Sequence, residues 1–286
     1  MDITLRAGKP EDSQECGRIA YEAFRAIAEE HGFPPDFPSP EVASTVVSHM
    51  LRHPQTYSVV AESGGKIIGS NFMDERAIIG GIGPISVDPE VQNSGAGKAM
   101  MLNALERVAK RGFPGVRLVQ SAYHMRSLSL YTKIGFDPRE TLSVFHGPAL
   151  NVSIEGFKVR DAARKDLDAC DELCRYVHGF ERGSELSDAI NRGGIAKVVE
   201  RGGRITGYTT SIAFGGYSVG ESNDDIQALI GATREFDKPG FLVPSCNAEL
   251  MRWCLARGLR VIMQMTLMTI GLYNEPRGAY LPSILF

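Results

Sequence analysis

One stretch of this chain returns, in a weak repeat, further along it. Ala61-Glu62-Ser63-Gly64-Gly65-Lys66-Ile67-Ile68-Gly69 returns as Val199-Glu200-Arg201-Gly202-Gly203-Arg204-Ile205-Thr206-Gly207. Each copy reads as a strand, a two-glycine turn and a return strand, the signature of a hairpin. A second pair of segments precedes the hairpins. Ile3-Thr4-Leu5-Arg6 is followed by Lys9-Pro10-Glu11-Asp12, and Phe157-Lys158-Val159-Arg160 by Arg164-Lys165-Asp166. Two copies of one topology account for this order better than two unrelated domains. A length of 286 residues has room for both. The boundary is expected between Pro148 and Gly156, giving domains over 1–150 and 151–286.

Hydrophobic spacing supplies the order of elements. Cys16, Ile19, Ala23 and Ile27 recur at helical spacing after Pro10, and Gly32 can end that helix. A proline-rich link over 34–38 leads to a second helix near 42–51. The hairpin of 57–73 and a long strand over 78–87 follow. A helix over 95–111, a strand over 116–120, a helix over 127–134 and strands over 141–145 complete the first copy. In the second copy, helices are expected over 166–177, 224–236 and 248–257, and strands over 240–243, 260–268 and 279–285. The fold class is therefore α/β, a mixed sheet layered with helices.

The formal net charge of -3, with no long run of one sign, excludes a basic field for a nucleic-acid backbone. The amino terminus lacks a charged start followed by an apolar block, and no apolar run approaches the roughly 20 residues that cross a bilayer. No nucleic-acid partner and no membrane are expected. An odd number of cysteines (Cys16, Cys170, Cys174, Cys246 and Cys254) without paired spacing fits reduced thiols in a cytoplasm. Cys170 and Cys174 lie one helical turn apart without a nearby His or Cys, so no metal site is expected. Self-association as a homodimer stays open.

The segment richest in chemistry is Ile82-Gly83-Pro84-Ile85-Ser86-Val87-Asp88-Pro89-Glu90-Val91-Gln92-Asn93-Ser94-Gly95-Ala96-Gly97-Lys98. A strand ends, and a glycine-rich loop opens a helix. Unpaired N–H groups at a helix start point outward together, and the helix dipole adds positive potential, which makes an anion site. Gly95 and Gly97 let a phosphate approach the backbone, and Lys98 adds charge. A tight strand-to-helix turn would use the same glycines. The dinucleotide pattern Gly-x-Gly-x-x-Gly fails because position 100 is Met, and the phosphate-loop pattern fails because no Gly-Lys-Ser/Thr occurs.

Gln92-x-x-Gly95-x-Gly97 resembles the Gln/Arg-x-x-Gly-x-Gly/Ala signature of the GNAT family, the Gcn5-related N-acetyltransferases. Val87-Asp88-Pro89 resembles the strand end that precedes it there. Ser127-Leu128-Ser129-Leu130-Tyr131-Thr132-Lys133-Ile134-Gly135-Phe136 resembles the family's second motif, a helix ending in Leu-Tyr-x-Lys-x-Gly-Phe. The resemblance covers about residues 3 to 147 and implies tandem GNAT-like acyl-CoA N-acyltransferase domains.

That resemblance also implies roles. The amides of Gln92, Asn93, Ser94, Gly95, Ala96, Gly97 and Lys98 hold the pyrophosphate of acetyl-CoA, the co-substrate. Ile85 and Val87 pair with its pantetheine arm as an added strand, and an amide near Ile85 faces the acetyl carbonyl. Tyr131 stands where the family's general acid protonates the leaving thiolate; a core tyrosine is the other reading. His124 replaces an asparagine that contacts CoA, with Ser127 beside it. An imidazole there can replace the amide's hydrogen bond, act as a base or face solvent. Asp74 and Glu75 stand near where family members place a carboxylate base, and Glu75 is the candidate; a solvated turn is the alternative.

In the second copy, the segment from Asn247 to Leu259 resembles the second motif again, with Cys254 in place of the tyrosine. Glu221, Asp224 and Asp225 stand where the glycine loop would be. Carboxylates there satisfy the helix dipole and repel a pyrophosphate, so the second domain is expected to be a degenerate GNAT-like domain. The function expected is acetyl transfer from acetyl-CoA to a primary amine of a small-molecule or peptide acceptor. The alternatives are a non-catalytic CoA- or acyl-CoA-binding regulatory module and a structural scaffold.

Overall fold

The structure is a computed structural model, and it describes residues 2–285. The chain forms two compact units. One comprises residues 2–137, 268–272 and 285, and the other residues 138–267 and 273–284.

The first unit opens with β1 (Thr4–Ala7), followed by α1 (Ser13–Glu30), α2 (Pro40–Arg52), β2 (Thr56–Ser63), β3 (Lys66–Asp74) and β4 (Ile79–Val87). It continues with α3 (Ala96–Arg111), β5 (Gly115–Ser121) and α4 (Met125–Lys133). β1, β2, β3 and β4 run antiparallel in that order, and β5 joins β4 in parallel. Ser39 caps α2 by accepting the Val42 N–H at 3.4 Å, with Pro40 at the first helical position. Gly95 and Gly112 bound α3, both at positive φ (95° and 68°), where a side chain is disfavoured. Buried Cys16, Val47, Met50, Val60 and Phe72 cluster together. A second cluster holds Ile82, Met101, Ala104, Val116, Leu118, Tyr131 and Phe136.

The second unit contains β6 (Asp137–His146), β7 (Lys158–Asp161), α5 (Leu167–His178), α6 (Gly183–Arg192), β8 (Lys197–Arg201), β9 (Arg204–Thr209) and β10 (Ser218–Gly220). Then come α7 (Asn223–Gly231), β11 (Phe241–Pro244), α8 (Ala248–Ala256), β12 (Arg260–Gly271) and β13 (Ala279–Leu281). The last residues of β12 belong to the first unit. β7, β8, β9 and β10 repeat the antiparallel run of β1 to β4. β6 pairs antiparallel with β11, from Leu142↔Pro244 to Phe145↔Phe241.

The duplication extends to side chains. Arg6 clamps Asp12 at 2.6 and 2.9 Å and reaches Glu62 at 2.8 Å. Arg160 clamps Asp166 at 2.7 and 2.9 Å and reaches Glu200 at 2.6 Å. In each unit the pair ties the first strand to the hairpin and to the turn that starts the first helix. Both aspartates are held below the usual carboxylate range, chiefly by the arginine's hydrogen bonds.

Four elements differ from the sequence reading. α7 stops at Gly231 rather than near 236, and the Gly231 carbonyl accepts the Val152 N–H at 3.1 Å. β13 covers only 279–281, and α6 and β10 were not anticipated.

Candidate active site in the first unit

β4 and β5 part company halfway along. Their parallel register runs from Ile79↔Gly115 to Ile82↔Leu118 and no further, although β4 continues to Val87 and β5 to Ser121. The break coincides with a bulge in the β3–β4 ladder. Asn71 faces Ile85 and Met73 faces Ile82, so Gly83 and Pro84 together stand opposite Phe72. Gly83 has φ of 145°, and Pro84 has no N–H to give to a ladder.

The ladder also fixes where the free arm of β4 points its amides. The Asp88 N–H donates to the Ile68 carbonyl at 2.9 Å, which makes Ile68 and Asp88 a hydrogen-bonded pair. Antiparallel alternation makes Ser70/Ser86 the next bonded pair and leaves Gly69/Val87 and Asn71/Ile85 as non-bonded pairs. The N–H groups of Ile85 and Val87 therefore face away from β3, into the opening beside β5. Two buried side-chain atoms without partners among the described residues flank this stretch: Oδ1 of Asn71, opposite Ile85, and Nε2 of Gln120, on the free arm of β5.

The chain leaves β4 through a single-turn helix, Pro89–Val91, capped by Asp88 accepting the Glu90 N–H at 3.0 Å. Asn93 has φ of 67° and Gly95 of 95°, so the loop turns back on itself before α3 begins. The Ala96 N–H lies 3.5 Å from Ser94 Oγ. The amides of Gln92, Asn93, Gly95, Gly97 and Lys98 have no hydrogen-bond partner among the described residues. Lys98 is exposed on the first turn of α3, while Ala96 is buried and anchors it.

α4 brings further groups to the same loop. The Arg126 guanidinium donates to Gln92 Oε1 at 2.5 Å, which puts a cation beside the free amides. His124 is the N-cap of α4: its Nδ1 accepts the Ser127 N–H at 3.3 Å. Burial first, and the Arg126 charge second, lower its pKa to about 4, so the ring is neutral at pH 7. Its Nδ1 is engaged by its own helix. Asn247 does the same for α8, accepting the Leu250 N–H at 3.2 Å through Oδ1. The Ser127 hydroxyl lies 2.8 Å from Gln120 Oε1 and 2.9 Å from the His124 carbonyl.

The Tyr131 ring is buried in the cluster that includes Ile82, Leu118 and the half-buried Ile85, edge-on to Phe136 with centroids 6.1 Å apart. Its hydroxyl has no hydrogen-bond partner among the described residues, and burial raises its pKa, so it keeps its proton at neutral pH. Glu75 is held elsewhere. Arg107, near the end of α3, grips both of its oxygens at 2.7 and 2.8 Å, and Arg111 lies 3.6 Å away. Arg107 is nine residues, or about 13 Å of helix rise, from Lys98. Asp74 is paired with Arg76 at 2.5 Å. The structure thus brings the loop amides, Ile85, Val87, His124, Ser127 and Tyr131 to one end of the sheet and does not bring Glu75 there. Sequence reasoning missed Gln120 and Arg126. A glutamine closing the strand that starts at Val116 and an arginine in the first turn after the His124 cap were the available signals.

Residues 20–136 match the acetyltransferase (GNAT) family. The first unit carries a GNAT-family domain. A stretch of 101 residues is 29% identical to a mycothiol acetyltransferase of Pseudarthrobacter chlorophenolicus, and covers 33% of this chain and 31% of that protein. The chain thus spans about a third of the length of the curated relatives it matches. An acetyltransferase candidate from Pyrococcus horikoshii has the same fold over 97% of this chain and 94% of its own, with a TM-score of 0.74 at 16% identity. A tandem GNAT protein from the clavulanic acid biosynthesis pathway aligns over 94% of this chain and 98% of its own, with a TM-score of 0.56 at 14% identity.

The equivalent region of the second unit is closed. β10 is paired on both flanks, with β9 through Val219↔Tyr208 and with β13 through Val219↔Tyr280. β13 stands where the first unit leaves the flank of β4 open. The start of α7 is filled by a carboxylate: Asp225 Oδ2 accepts the Ser222 N–H at 3.0 Å and the Ser222 hydroxyl at 2.8 Å, and Oδ1 accepts the Thr206 hydroxyl at 2.5 Å. Glu221 turns away to Arg201 at 2.9 Å and to Arg204. Among the described residues there is no group of three potential metal ligands and no helix long and apolar enough to cross a membrane.

Proposed function

We propose that the first unit transfers an acetyl group from acetyl-CoA to a primary amine. The observation that carries this reading is a row of unpaired amides: Ile85 and Val87 on the free arm of β4, then Gln92, Asn93, Gly95, Gly97 and Lys98 in the loop and the first turn of α3.

The row suits the two parts of acetyl-CoA. The loop amides, the helix dipole and Arg126 hold the pyrophosphate, and the β4 arm pairs with the amide-bearing pantetheine. Acetyl-CoA supplies an activated acyl group on a thiol leaving group. Ile85 donates its N–H to the carbonyl oxygen as negative charge builds there. Tyr131 gives its proton to the departing sulfur, a role for which burial keeps the phenol protonated. The amine nitrogen forms the new C–N bond as the C–S bond breaks, and one of its protons replaces the one Tyr131 gave up. The second unit, with its cradle filled, takes no part in CoA binding. Likeness to mycothiol acetyltransferases favours a small-molecule acceptor over a peptide.

Calorimetry with acetyl-CoA together with a free-thiol assay over a panel of amines tests this. One CoA bound per chain and amine-dependent thiol release are expected. Binding without thiol release would leave a regulatory CoA-binding module, and no binding would overturn the reading.

A further inference from the structure

The reaction needs a base at the acceptor side, and the carboxylates nearest in sequence to β4 are already committed. Asp74 and Glu75 are gripped by arginines, and neutral His124 is spent as a helix cap. The carboxyl group of Asp36 is not committed in this way. Asp36 lies in the link between α1 and α2, half-buried as a residue, and its Oδ1 is shut off from solvent with no hydrogen-bond partner among the described residues.

Its surroundings are aromatic. Phe33, from the same link, stacks on Tyr123 with ring centroids 4.5 Å apart and planes 8° from parallel. His31 lies 5.3 Å from the same Tyr123 ring, and Phe37 packs edge-on against Phe24 at 5.6 Å. Asp36 is close enough to Tyr123 for its charge, after burial, to help raise that phenol's pKa. Tyr123 follows the free arm of β5 by two residues and precedes the His124 cap of α4. The stacked pair therefore sets the α1–α2 link at the end of β5 where the strands have separated.

We propose that Asp36 receives the ammonium group of the acceptor and takes its proton, with the Phe33–Tyr123 stack as the wall beside it. This rests on the acetyl-transfer reading of the same unit. A buried carboxyl oxygen with no donor is costly, and an ammonium supplies both the donor and the countercharge. Aromatic faces add attraction for a cation. Proton transfer from R–NH3+ to the carboxylate gives R–NH2, whose nitrogen lone pair is then free to form the C–N bond, and Asp36 passes the proton to water. Burial lifts the Asp36 pKa to about 7, the range in which a carboxylate exchanges protons with an amine acceptor at neutral pH.

The test uses the full chain with acetyl-CoA and benzylamine, propylamine and spermidine, carrying forward whichever amine the wild type acetylates fastest. Asp36→Asn keeps the shape of the side chain and removes the base. The acceptor kcat/KM is expected to fall by about 10²- to 10⁴-fold, with acetyl-CoA affinity and the circular dichroism spectrum unchanged. Asp36→Glu should recover part of the loss, which a purely structural aspartate would not show. Phe33→Leu should raise the acceptor KM with little change in kcat. Wild-type kcat/KM in Asp36→Asn would overturn this assignment and leave the acetyl-transfer reading intact. A wild type that binds acetyl-CoA and acetylates none of the three amines would overturn both.

Discussion

Arg126 Nη2 lies 2.5 Å from Gln92 Oε1, which ties the first turn of α4 to the loop that opens α3. The contact orients a cation over a row of free amides. Arg126→Ala should therefore weaken acetyl-CoA binding about 10-fold at low salt, at the lower end for a charge-assisted contact because the residue is exposed. The loss should shrink as salt is raised in the calorimeter. A salt-independent loss would mean that Arg126 acts only by holding Gln92.

The two loop glycines should separate folding from binding. Gly95 sits at φ of 95°, a conformation that costs other residues about 1–3 kcal/mol, so Gly95→Ala should lower Tm and CoA affinity together. Gly97 is helical, and a Cβ there would sit 3.7 Å from Val87 Cγ2, an ordinary contact. Gly97→Ala should leave Tm unchanged and reduce CoA affinity alone. Equal affinity in Gly97→Ala would show that the pyrophosphate does not approach this backbone.

Tyr131→Phe removes a hydroxyl that bonds to no described residue and leaves the ring packed against Phe136. Chemical denaturation should find stability within about 0.5 kcal/mol of wild type. Turnover should drop by about 10²- to 10⁴-fold at unchanged CoA affinity. Normal turnover would make Tyr131 a core residue only.

His124 gives a dependence on pH with a definite sign. Its folded-state pKa of about 4 is below the ordinary value of 6.5, so the unfolded chain binds the proton more readily. Its contribution is present above pH 6.5 and is lost as pH falls through the interval from 6.5 to 4, where a protonated Nδ1 can no longer accept the Ser127 N–H. His124→Asn should keep the cap, as Asn247 does in the second unit, and flatten the stability curve over that interval. An unchanged curve would assign the acid loss to other groups.

Glu75 should behave as a structural carboxylate. Its side chain is 7% exposed and doubly bonded to Arg107. Glu75→Gln should cost about 1–3 kcal/mol by leaving that guanidinium underpaired. The pH profile of kcat/KM in the residual folded enzyme should keep its shape. Loss of the acidic limb with stability intact would instead make Glu75 the base.

The parts of the site written as local backbone chemistry could be read directly. The run from Val87 to Gly97 announces a strand end, two turns and a helix start within a dozen residues, and each is satisfied locally. Asn247 and His124 stand at equivalent places in the two copies, but that each caps a helix emerges only from the folded backbone. Side chains whose partners come from distant parts of the chain could not be read in this way. Glu75 looks like a turn residue until Arg107 is folded against it. Asp36 looks like part of a proline-rich link until Phe33 meets Tyr123. α6 escaped notice because the buried start of its inner face carries the Arg182–Glu185 ion pair, at 2.7 Å, where periodicity analysis looks for apolar residues.

The strand β13 on the flank of β10 makes the second unit a case of permanent self-occupancy. A binding groove gains stability from its ligand by mass action, about 2.7 kcal/mol when free ligand is 100-fold above Kd. A groove filled by its own chain has that interaction at every concentration, with no binding equilibrium to respond to. On the acetyl-transfer reading, the stability of the first unit thus rises and falls with the acetyl-CoA pool, whereas that of the second is set once, at folding.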